Sequence, residues 1–348
     1  MIAIQTVVDI LIAILMFGLL IFTHELGHFT AAKLFRVKVN QFAIGMGPAL
    51  AKITRGETTY ALRLFPVGGF CAMEGEDEES ADDRAFNHKP VWQRMIISVA
   101  GAFVNLLTGF LIILVLMSTQ PYFASTTVSM FGKGATSSAA GGLKVGDVIT
   151  RINGSRVHVF QDITYGLALS SDNTADIQVR RSGKTADLKN VAFPMVDNGN
   201  GGKMMSYDFF VEPEAKTVGT VLHETVYQTV GMVRFVWMTF VELLRGRFGL
   251  KDLAGPIGTT AAVGQAAKAG VGELFSIVAL IAVNLGVVNL FPLPALDGGK
   301  LCFLLVEAAR RKPLDPKYEG AVNFVGFSLL MLLMVVVSYN DIIRLMRG

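Results

Sequence analysis

The sequence predicts an α-helical polytopic membrane protein with four transmembrane helices and one inserted β-rich domain, and three observations support this fold class. Hydrophobic residues make up 52% of the 348 residues and charged residues only 17%, a balance that is unusual for a soluble protein. Four long apolar stretches are separated by polar segments. The segment between the second and third stretches shows instead the alternating pattern of β-strands.

The first two apolar stretches predict two crossings of opposite direction. The first, from about residue 4 to residue 32, is long enough at about 1.5 Å per residue to cross a hydrocarbon core of about 30 Å. No Lys or Arg precedes Lys33, so this stretch lacks the basic start of a cleavable signal peptide and is predicted to be retained. The second stretch, residues 92–117, begins beside Arg94 and therefore runs outward by the positive-inside rule.

Residues 119–215 lie outside the membrane in this prediction and form a soluble β-rich domain. The segment is polar and rich in glycine. Polar and apolar residues alternate at 176–180, which indicates a strand. The pairs Asn-Gly at 153–154 and Ser-Gly at 182–183 are typical of tight turns.

The directions of the last two crossings are predicted from a cluster of basic residues between them. The third stretch, residues 274–290, continues through a proline-rich break and a short apolar helix to the cluster Arg-Arg-Lys at 310–312, which places this end inside. The fourth stretch, residues 321–338, returns outward. Four crossings place both chain termini outside the cytoplasm.

Residues 218–245 are apolar but contain charged side chains that would be costly in lipid, so a helix in the membrane interface is predicted in preference to a fifth span. The predicted regions are residues 1–118 with the first two transmembrane helices, 119–215 with the β-rich domain, 216–270 with the interfacial helix and a linker, and 271–348 with the last two transmembrane helices.

The first transmembrane helix contains an H-E-x-x-H motif at residues 24–28. The spacing places His24 and His28 on one face of a helix, one turn apart, where they can share a metal ion. Glu25 then lies beside the metal, where it can take a proton from water that zinc activates. In a soluble helix such a motif can be an ordinary solvated face, but inside an apolar span it is costly unless the side chains bind or pair. Lys33 follows closely, so the zinc is predicted about 10 Å below the cytoplasmic surface.

A third zinc ligand is predicted in the break at residues 289–299. Pro292 and Pro294 interrupt the third span, and such a break is tolerated at membrane depth only where it is buried in protein or lines a wet cavity. Asp297 is its acidic residue and a suitable zinc ligand; its alternative role is to cap the following helix. Asn289 is predicted either to hydrogen-bond an extended substrate or to join helices.

These motifs resemble the site-2 protease family of intramembrane zinc metalloproteases, in particular its bacterial RseP-like branch. The resemblance covers nearly the whole chain and rests on FTHELGH at 22–28, LAGPIG at 253–258 and NLFPLPALDGG at 289–299. It implies one catalytic Zn²⁺ held by His24, His28 and Asp297, with Glu25 as general base. It also implies hydrolysis of single-span membrane proteins, already trimmed outside, such as anti-sigma factors or signal-peptide remnants, in the bacterial inner membrane.

The resemblance further implies a β-hairpin at residues 39–74 that dips into the membrane and pairs with an unwound substrate. Short strands are expected at 42–47 and 60–65, with a turn at 66–69. An edge strand lends main-chain hydrogen bonds to an extended peptide; the alternative is an ordinary cytoplasmic hairpin. The candidate substrate-binding residues are Gly45, Gly47, Asn289, Pro292 and Pro294.

The external segment resembles a PDZ domain through AGGLKVGDVI at 140–149 and RING at 151–154. PDZ domains commonly hold a peptide as an added strand, so a bound peptide C-terminus or a size filter for substrates is expected. The chain has room for one such domain, whereas many members of the family have two.

The sequence favours proteolysis over two other functions. A membrane adaptor with a structural metal would not need Glu25, and a metal transporter would need a polar path through several spans, which the remaining apolar stretches do not offer. The net charge of +3 and the dispersed basic residues exclude a nucleic-acid partner, which requires a clustered basic face.

Overall fold

The structure, a computed structural model, describes residues 2–76, 78–170, 172–197, 203–246 and 253–347. Within these ranges the helices, numbered in chain order, are α1 (Ile2–Leu34), α2 (Val91–Thr119), α3 (Phe160–Ala168), α4 (Val218–Leu244), α5 (Pro256–Ala269), α6 (Val271–Asn289), α7 (Asp297–Arg310) and α8 (Pro316–Arg347). The strands are β1 (Val39–Arg55), β2 (Thr58–Met73), β3 (Tyr122–Phe131), β4 (Val148–Ile152), β5 (Ser155–Arg156), β6 (Thr174–Arg181), β7 (Lys184–Ala192), β8 (Met195–Asp197), β9 (Lys203–Met205) and β10 (Phe209–Ala215).

Four helices in the described ranges are long and apolar enough to cross a membrane. They are α2, α6 and the segments Val7–Leu34 of α1 and Lys317–Ile343 of α8. Helix α4 is 27 residues long but does not belong to this set, because its polar and charged side chains lower its mean hydropathy. The predicted number of apolar helices of membrane length is therefore confirmed, and the side on which the termini lie stays a prediction.

The chain divides into two compact units, of which the first comprises Met1–Gly109 and Ala254–Asp341. It contains the hairpin of β1 and β2, but the turn of this hairpin is not where the sequence predicts it. The strands are joined at Gly56 and Glu57, since Gly56 (φ 60°) adopts the left-handed conformation that a two-residue hairpin loop requires. The turn predicted at 66–69 was wrong, because these residues lie inside β2 and bend the strand instead of reversing it.

The bend gives part of β1 two neighbouring strand segments. Residues 41–44 pair with residues 69–72 and also with residues 59–62. The result is a small sheet in which residues 69–73 form an edge, with β1 as their only strand partner in the described part of the chain.

Phe42 of β1 fixes this sheet to the helices. Its ring lies edge-to-face with Phe22, at 6.0 Å between centroids, and with Phe29, at 5.3 Å. Such aromatic pairs contribute about 0.5–1.5 kcal/mol beyond the area that they bury. Cys71 of the edge and Ile97 of α2 belong to the same buried cluster. The edge of the sheet is thereby held beside α1 and α2.

The second unit, Phe110–Leu253 with Ile342–Gly348, contains the predicted β-rich segment. Its main sheet has the order β10-β3-β4-β6-β7, with β5 paired to β4. The predicted strand at 176–180 lies in β6, and both residues of each predicted turn, at 153–154 and 182–183, have positive φ. These local predictions are confirmed. The sheet and α3 enclose a core that includes Val128, Leu143, Ile149, Ile163, Leu167 and Val179.

Helix α4 packs along α3 within this second unit. Arg234 of α4 lies 2.6 Å from the carboxylate of Asp162, which is the third residue of α3. The ring of Phe235 stacks on Tyr165 at 4.6 Å between centroids. A Cβ at Gly231 would lie 2.9 Å from Asp162 Oδ1, so the absence of a side chain there lets the two helices approach closely.

Candidate metal centre

The two motif histidines lie on one face of helix α1, because residues four apart in a helix are neighbours on its surface. The ring centroids of His24 and His28 are 4.9 Å apart, and their Nε2 atoms are 3.3 Å apart. Glu25 lies beside the hairpin, since a Cβ built on Gly69 of β2 would be 3.1 Å from Glu25 Cγ. The helix therefore directs all three motif side chains toward the edge of the sheet and the start of α7.

The break between α6 and α7 brings Asp297 to these histidines. Its Oδ2 atom lies 3.4 Å from His24 Nε2 and 3.5 Å from His28 Nε2. The alternative role of Asp297 as a helix cap was wrong, because the N-cap of α7 is Leu296 and no side-chain hydrogen bond caps the helix. The Asp297 side chain points to the histidines instead.

Two glycines allow the break to fold this tightly. A Cβ at Gly298 would come within 2.3 Å of the carbonyl oxygen of Phe291, and a Cβ at Gly299 within 2.3 Å of that of Leu293. Any side chain at either position would push the start of α7, and with it Asp297, away from the preceding loop.

The three side chains fit a zinc ion. One ligand atom from each of His24, His28 and Asp297 lies within 4.8 Å of the others. Asp297 Oδ2 is buried and has no hydrogen bond of acceptable geometry with a described residue, which is costly for a carboxylate oxygen unless a cation lies beside it. Two imidazole nitrogens and a carboxylate oxygen are also a known ligand set of catalytic zinc, which leaves a position open for water.

Residues of α2 and α1 orient the two imidazoles. His28 Nδ1 donates a hydrogen bond to the carbonyl oxygen of Ile97 at 2.8 Å, which leaves its Nε2 lone pair for a metal. The amide of Asn105 lies 3.4 Å from His24 Nδ1 and accepts a hydrogen bond from Thr23 at 3.1 Å. Asn105 therefore lies behind the first histidine.

A cavity of about 510 Å³ adjoins the three candidate ligands. Residues 69–73 at the edge of the sheet form one part of its wall, and Glu25, Asn289 and Asp297 form another. The carboxylate of Glu25 and the edge of the sheet thus face the same space as the candidate metal ligands.

The other predicted substrate-binding residues shape the elements around this cavity. Gly45 and Gly47 have φ 84° and kink β1, and Pro294 lies against Gly326 of α8, where a Cβ would be 2.4 Å from the proline. In the described structure the cavity wall does not include Gly45, Gly47, Pro292 or Pro294.

Comparison of the sequence with models of known protein families shows the family to which this chain belongs. The model described as peptidase family M50 matches residues 12–333, which is most of the chain. The chain belongs to peptidase family M50.

Several relatives align with this chain over nearly their full lengths, and their names support the assignment. A protein of Clostridium acetobutylicum named as a zinc metalloprotease is 36% identical over 340 residues, which cover 96% of this chain and 97% of the relative. A second one, from Clostridium perfringens, is 37% identical over 335 residues, which cover 96% and 98%. The regulator of sigma-W protease RasP of Bacillus subtilis is 31% identical over 421 residues, which cover 95% and 97%. This M50 peptidase is a multi-pass zinc metalloprotease of the site-2 protease type, which performs intramembrane proteolysis.

Gly101 of α2 also lies at the site of this M50 peptidase, although the zinc-binding motifs do not include it. A Cβ there would lie 2.3 Å from His28 Nε2 and 2.8 Å from His24 Cε1. On the facing helix, a Cβ at Gly27 would lie 2.4 Å from the carbonyl oxygen of Ala100. The run Ala-Gly-Ala at 100–102 was the available signal, since small residues mark close contacts between membrane helices.

Proposed function

We propose that this protease cuts single-span membrane proteins within their transmembrane segments, at a centre where His24, His28 and Asp297 hold one zinc ion and Glu25 is the general base. The observation that carries the proposal is the convergence of three ligand atoms within 4.8 Å of one another beside a cavity that Glu25 also lines. Bound zinc supplies a Lewis acid that polarises the scissile carbonyl and makes water more acidic.

Glu25 moves the proton in this reaction. Its carboxylate accepts a proton from the attacking water and then gives that proton to the leaving amide nitrogen, which restores the carboxylate for the next cycle. The hydrogen bond from His28 to Ile97 holds one ligand in place during these steps, since the partner of a ligating imidazole fixes its orientation.

The edge of the sheet at residues 69–73 binds the substrate in an extended form. A helical substrate hides its scissile amide, whereas a strand added to a free sheet edge exposes one. Asn289 also faces the cavity, and a side-chain amide there can bond the main chain of the added strand. Gly45, Gly47, Pro292 and Pro294 act indirectly, through the kinks and the break that place the edge and Asp297.

The substrates are single-span proteins that have already been trimmed outside, such as anti-sigma factors or signal-peptide remnants. The name of the Bacillus subtilis relative, regulator of sigma-W protease RasP, supports the first class.

Residues 119–215 form a PDZ domain in this proposal, which docks peptide C-termini or excludes bulky substrates. Support comes from the sheet closed by α3 and from the motif at 140–149, where Asp147 is fully buried and lies 2.7 Å from Arg181.

The protein lies in a bacterial inner membrane in this proposal, with both termini and the PDZ domain outside and the metal centre near the cytoplasmic side. Lys33 at the end of α1 and the basic cluster at 310–312 support this orientation. The four regions are then residues 1–118, 119–215, 216–270 and 271–348, as the sequence predicts.

The test is cleavage in lipid vesicles of a single-span substrate truncated on its outer side, with mass spectrometry of both products. We expect a cut within the span for the wild type and a loss of at least about 100-fold in rate for Glu25→Gln, because a general base contributes at least this factor. Glu57→Gln is the matched control, since Glu57 is a partly exposed carboxylate paired with Lys33 outside the cavity. A Glu25→Gln protein that cuts at the wild-type rate would refute the assigned base, and a cut outside the span would refute the assigned substrate segment.

A further inference from the structure

An ion pair joins the edge of the sheet to the helix that begins with Asp297. Glu76 follows the end of β2 at Met73 by three residues, and Lys300 follows Asp297 by three residues, or about one helical turn. Lys300 Nζ lies 2.5 Å from Glu76 Oε1, and both side chains are about four-fifths buried, at 23% and 20% exposure. Both residues line the cavity that contains the candidate zinc ligands.

The second oxygen of Glu76 contacts the main chain of the edge. Glu76 Oε2 accepts a hydrogen bond from the amide N–H of Met73 at 3.4 Å, and this N–H is the last that β2 offers. A carbonyl oxygen of an added strand would bind an edge N–H in the same way. Glu76 therefore occupies the end of the edge, so the strand-binding part of β2 stops at Met73.

Lys300 is fixed from its other side as well. Its Nζ lies 4.6 Å from the centroid of the Phe86 ring, and Phe86 is buried in the same cluster as Met73. A cation over an aromatic face is attracted by the ring. Lys300 is thus held by two contacts, both with the part of the chain that follows the edge of the sheet.

We propose that Glu76 and Lys300 are positioning residues that fix the distance between the substrate-binding edge and Asp297. Neither residue is required to touch the scissile bond or the metal in this role. The ion pair connects the edge of the sheet, where the extended substrate lies, to the start of α7, where Asp297 holds the metal. A displacement of about 1 Å at a reacting group can cost about 100-fold in rate. The inference rests on the proposed function, because it presupposes that residues 69–73 hold the substrate.

The structure predicts a specific kinetic effect for loss of the pair. Zinc binding requires only His24, His28 and Asp297, and strand addition requires only the main chain of the edge. Without the ion pair, both should persist while the two sites lose their mutual alignment. We therefore expect kcat to fall, with little change in zinc content or substrate affinity.

The experiment uses three variants in lipid vesicles. Two are the single variants Glu76→Gln and Lys300→Met, and the third is a reciprocal double variant that carries both Glu76→Lys and Lys300→Glu. The control is Lys33→Met, which removes another Lys–Glu pair of the same unit, at 2.7 Å from Glu57, away from the cavity. For each protein we would measure the single-turnover rate with a substrate that the wild type cuts, the zinc content and the thermal midpoint. Substrate affinity would be measured in a Glu25→Gln background, where binding occurs without cleavage.

We expect each single variant to cut at least about 10-fold more slowly, with zinc content unchanged and affinity within about two-fold. The reciprocal variant restores the ion pair but not the bond to Met73, so it should recover part of the lost rate and exceed both single variants. Lys33→Met should remain within about two-fold of the wild type.

Several results would overturn the inference. They are single variants that cut at the wild-type rate, a reciprocal variant no faster than the single ones, and a loss of zinc or of thermal stability that accounts for the lower rate. Failure of the proposed function itself would look different, because the wild type and Lys33→Met would then also be inactive, and the inference would fall with it.

Discussion

Arg94 of α2 and Glu307 of α7 form a two-contact ion pair in which both side chains are mostly buried, at 12% and 13% exposure. Arg94 Nη1 donates to Glu307 Oε2 at 3.0 Å, and Nη2 donates to Oε1. The pair joins two helices that both serve the candidate metal centre. Helix α7 begins with Asp297, and the carbonyl oxygen of Ile97 on α2 orients His28.

Replacing Glu307 by Ala should therefore destabilise the first unit. The Arg94 guanidinium would be left buried without its carboxylate partner, and loss of one member of such a pair costs about 2–5 kcal/mol. Unfolding of the purified protein by increasing fractions of sodium dodecyl sulfate would measure this change. Glu57→Ala is the control, because the partly exposed pairs of Glu57 with Lys33 and with Arg84 should each contribute less than about 1 kcal/mol. Equal losses in the two variants would contradict the role assigned to Arg94 and Glu307.

Gly101→Ala should damage the metal centre directly. The added methyl group would lie 2.3 Å from His28 Nε2, so the imidazole or the helix must shift. We expect zinc affinity to fall by at least about 10-fold, comparable to the loss of a group that orients a ligand. Gly18→Ala on α1 is the matched control, since nothing lies within 4 Å of a Cβ there. Wild-type zinc affinity in Gly101→Ala would show that the site tolerates the shift.

Gly298→Ala should separate Asp297 from the histidines. Its methyl group would lie 2.3 Å from the carbonyl oxygen of Phe291, and main-chain atoms cannot move aside as a flexible side chain can. We expect weaker zinc binding together with slower cleavage, measured by competition with a chelator and by the vesicle assay. In Gly320→Ala of α8, where a Cβ meets nothing within 4 Å, both quantities should stay at the wild-type level.

Much of the fold can be predicted from local sequence, and the misplaced turn in that prediction has a local cause. The four apolar helices and the pair His24 and His28 are set by hydropathy and by helical spacing, so the sequence suffices for them. The turn was misplaced because the Pro-Val-Gly-Gly segment at 66–69 is compatible both with a reversal and with a bend. The contacts of Gly101 and of the Ile97 carbonyl join distant parts of the chain, and no local pattern encodes such contacts.

The second unit should lose stability as the pH rises, through Glu224 of α4. Burial raises the pKa of this carboxyl group to about 7 from an ordinary value of 4.5, with smaller contributions from Glu214 and Asp162. The folded state then binds a proton that the unfolded state releases between these two values, so the free energy of unfolding falls as the pH rises from about 4.5 to about 7. Thermal unfolding at several pH values should show this slope in the wild type and a smaller one in Glu224→Gln. Identical slopes would contradict the assignment to Glu224.

The zinc content of the purified protein tests the central claim most directly. It would be measured by elemental analysis in the wild type, Asp297→Asn, Glu25→Gln and the exposed-site control Asp83→Asn. The assigned ligands predict one zinc ion per chain in the wild type, in Glu25→Gln and in Asp83→Asn, and a loss of most of the zinc in Asp297→Asn, because two imidazoles alone do not complete a catalytic site. A wild-type protein without zinc, or an Asp297→Asn protein that retains a full equivalent, would contradict the account.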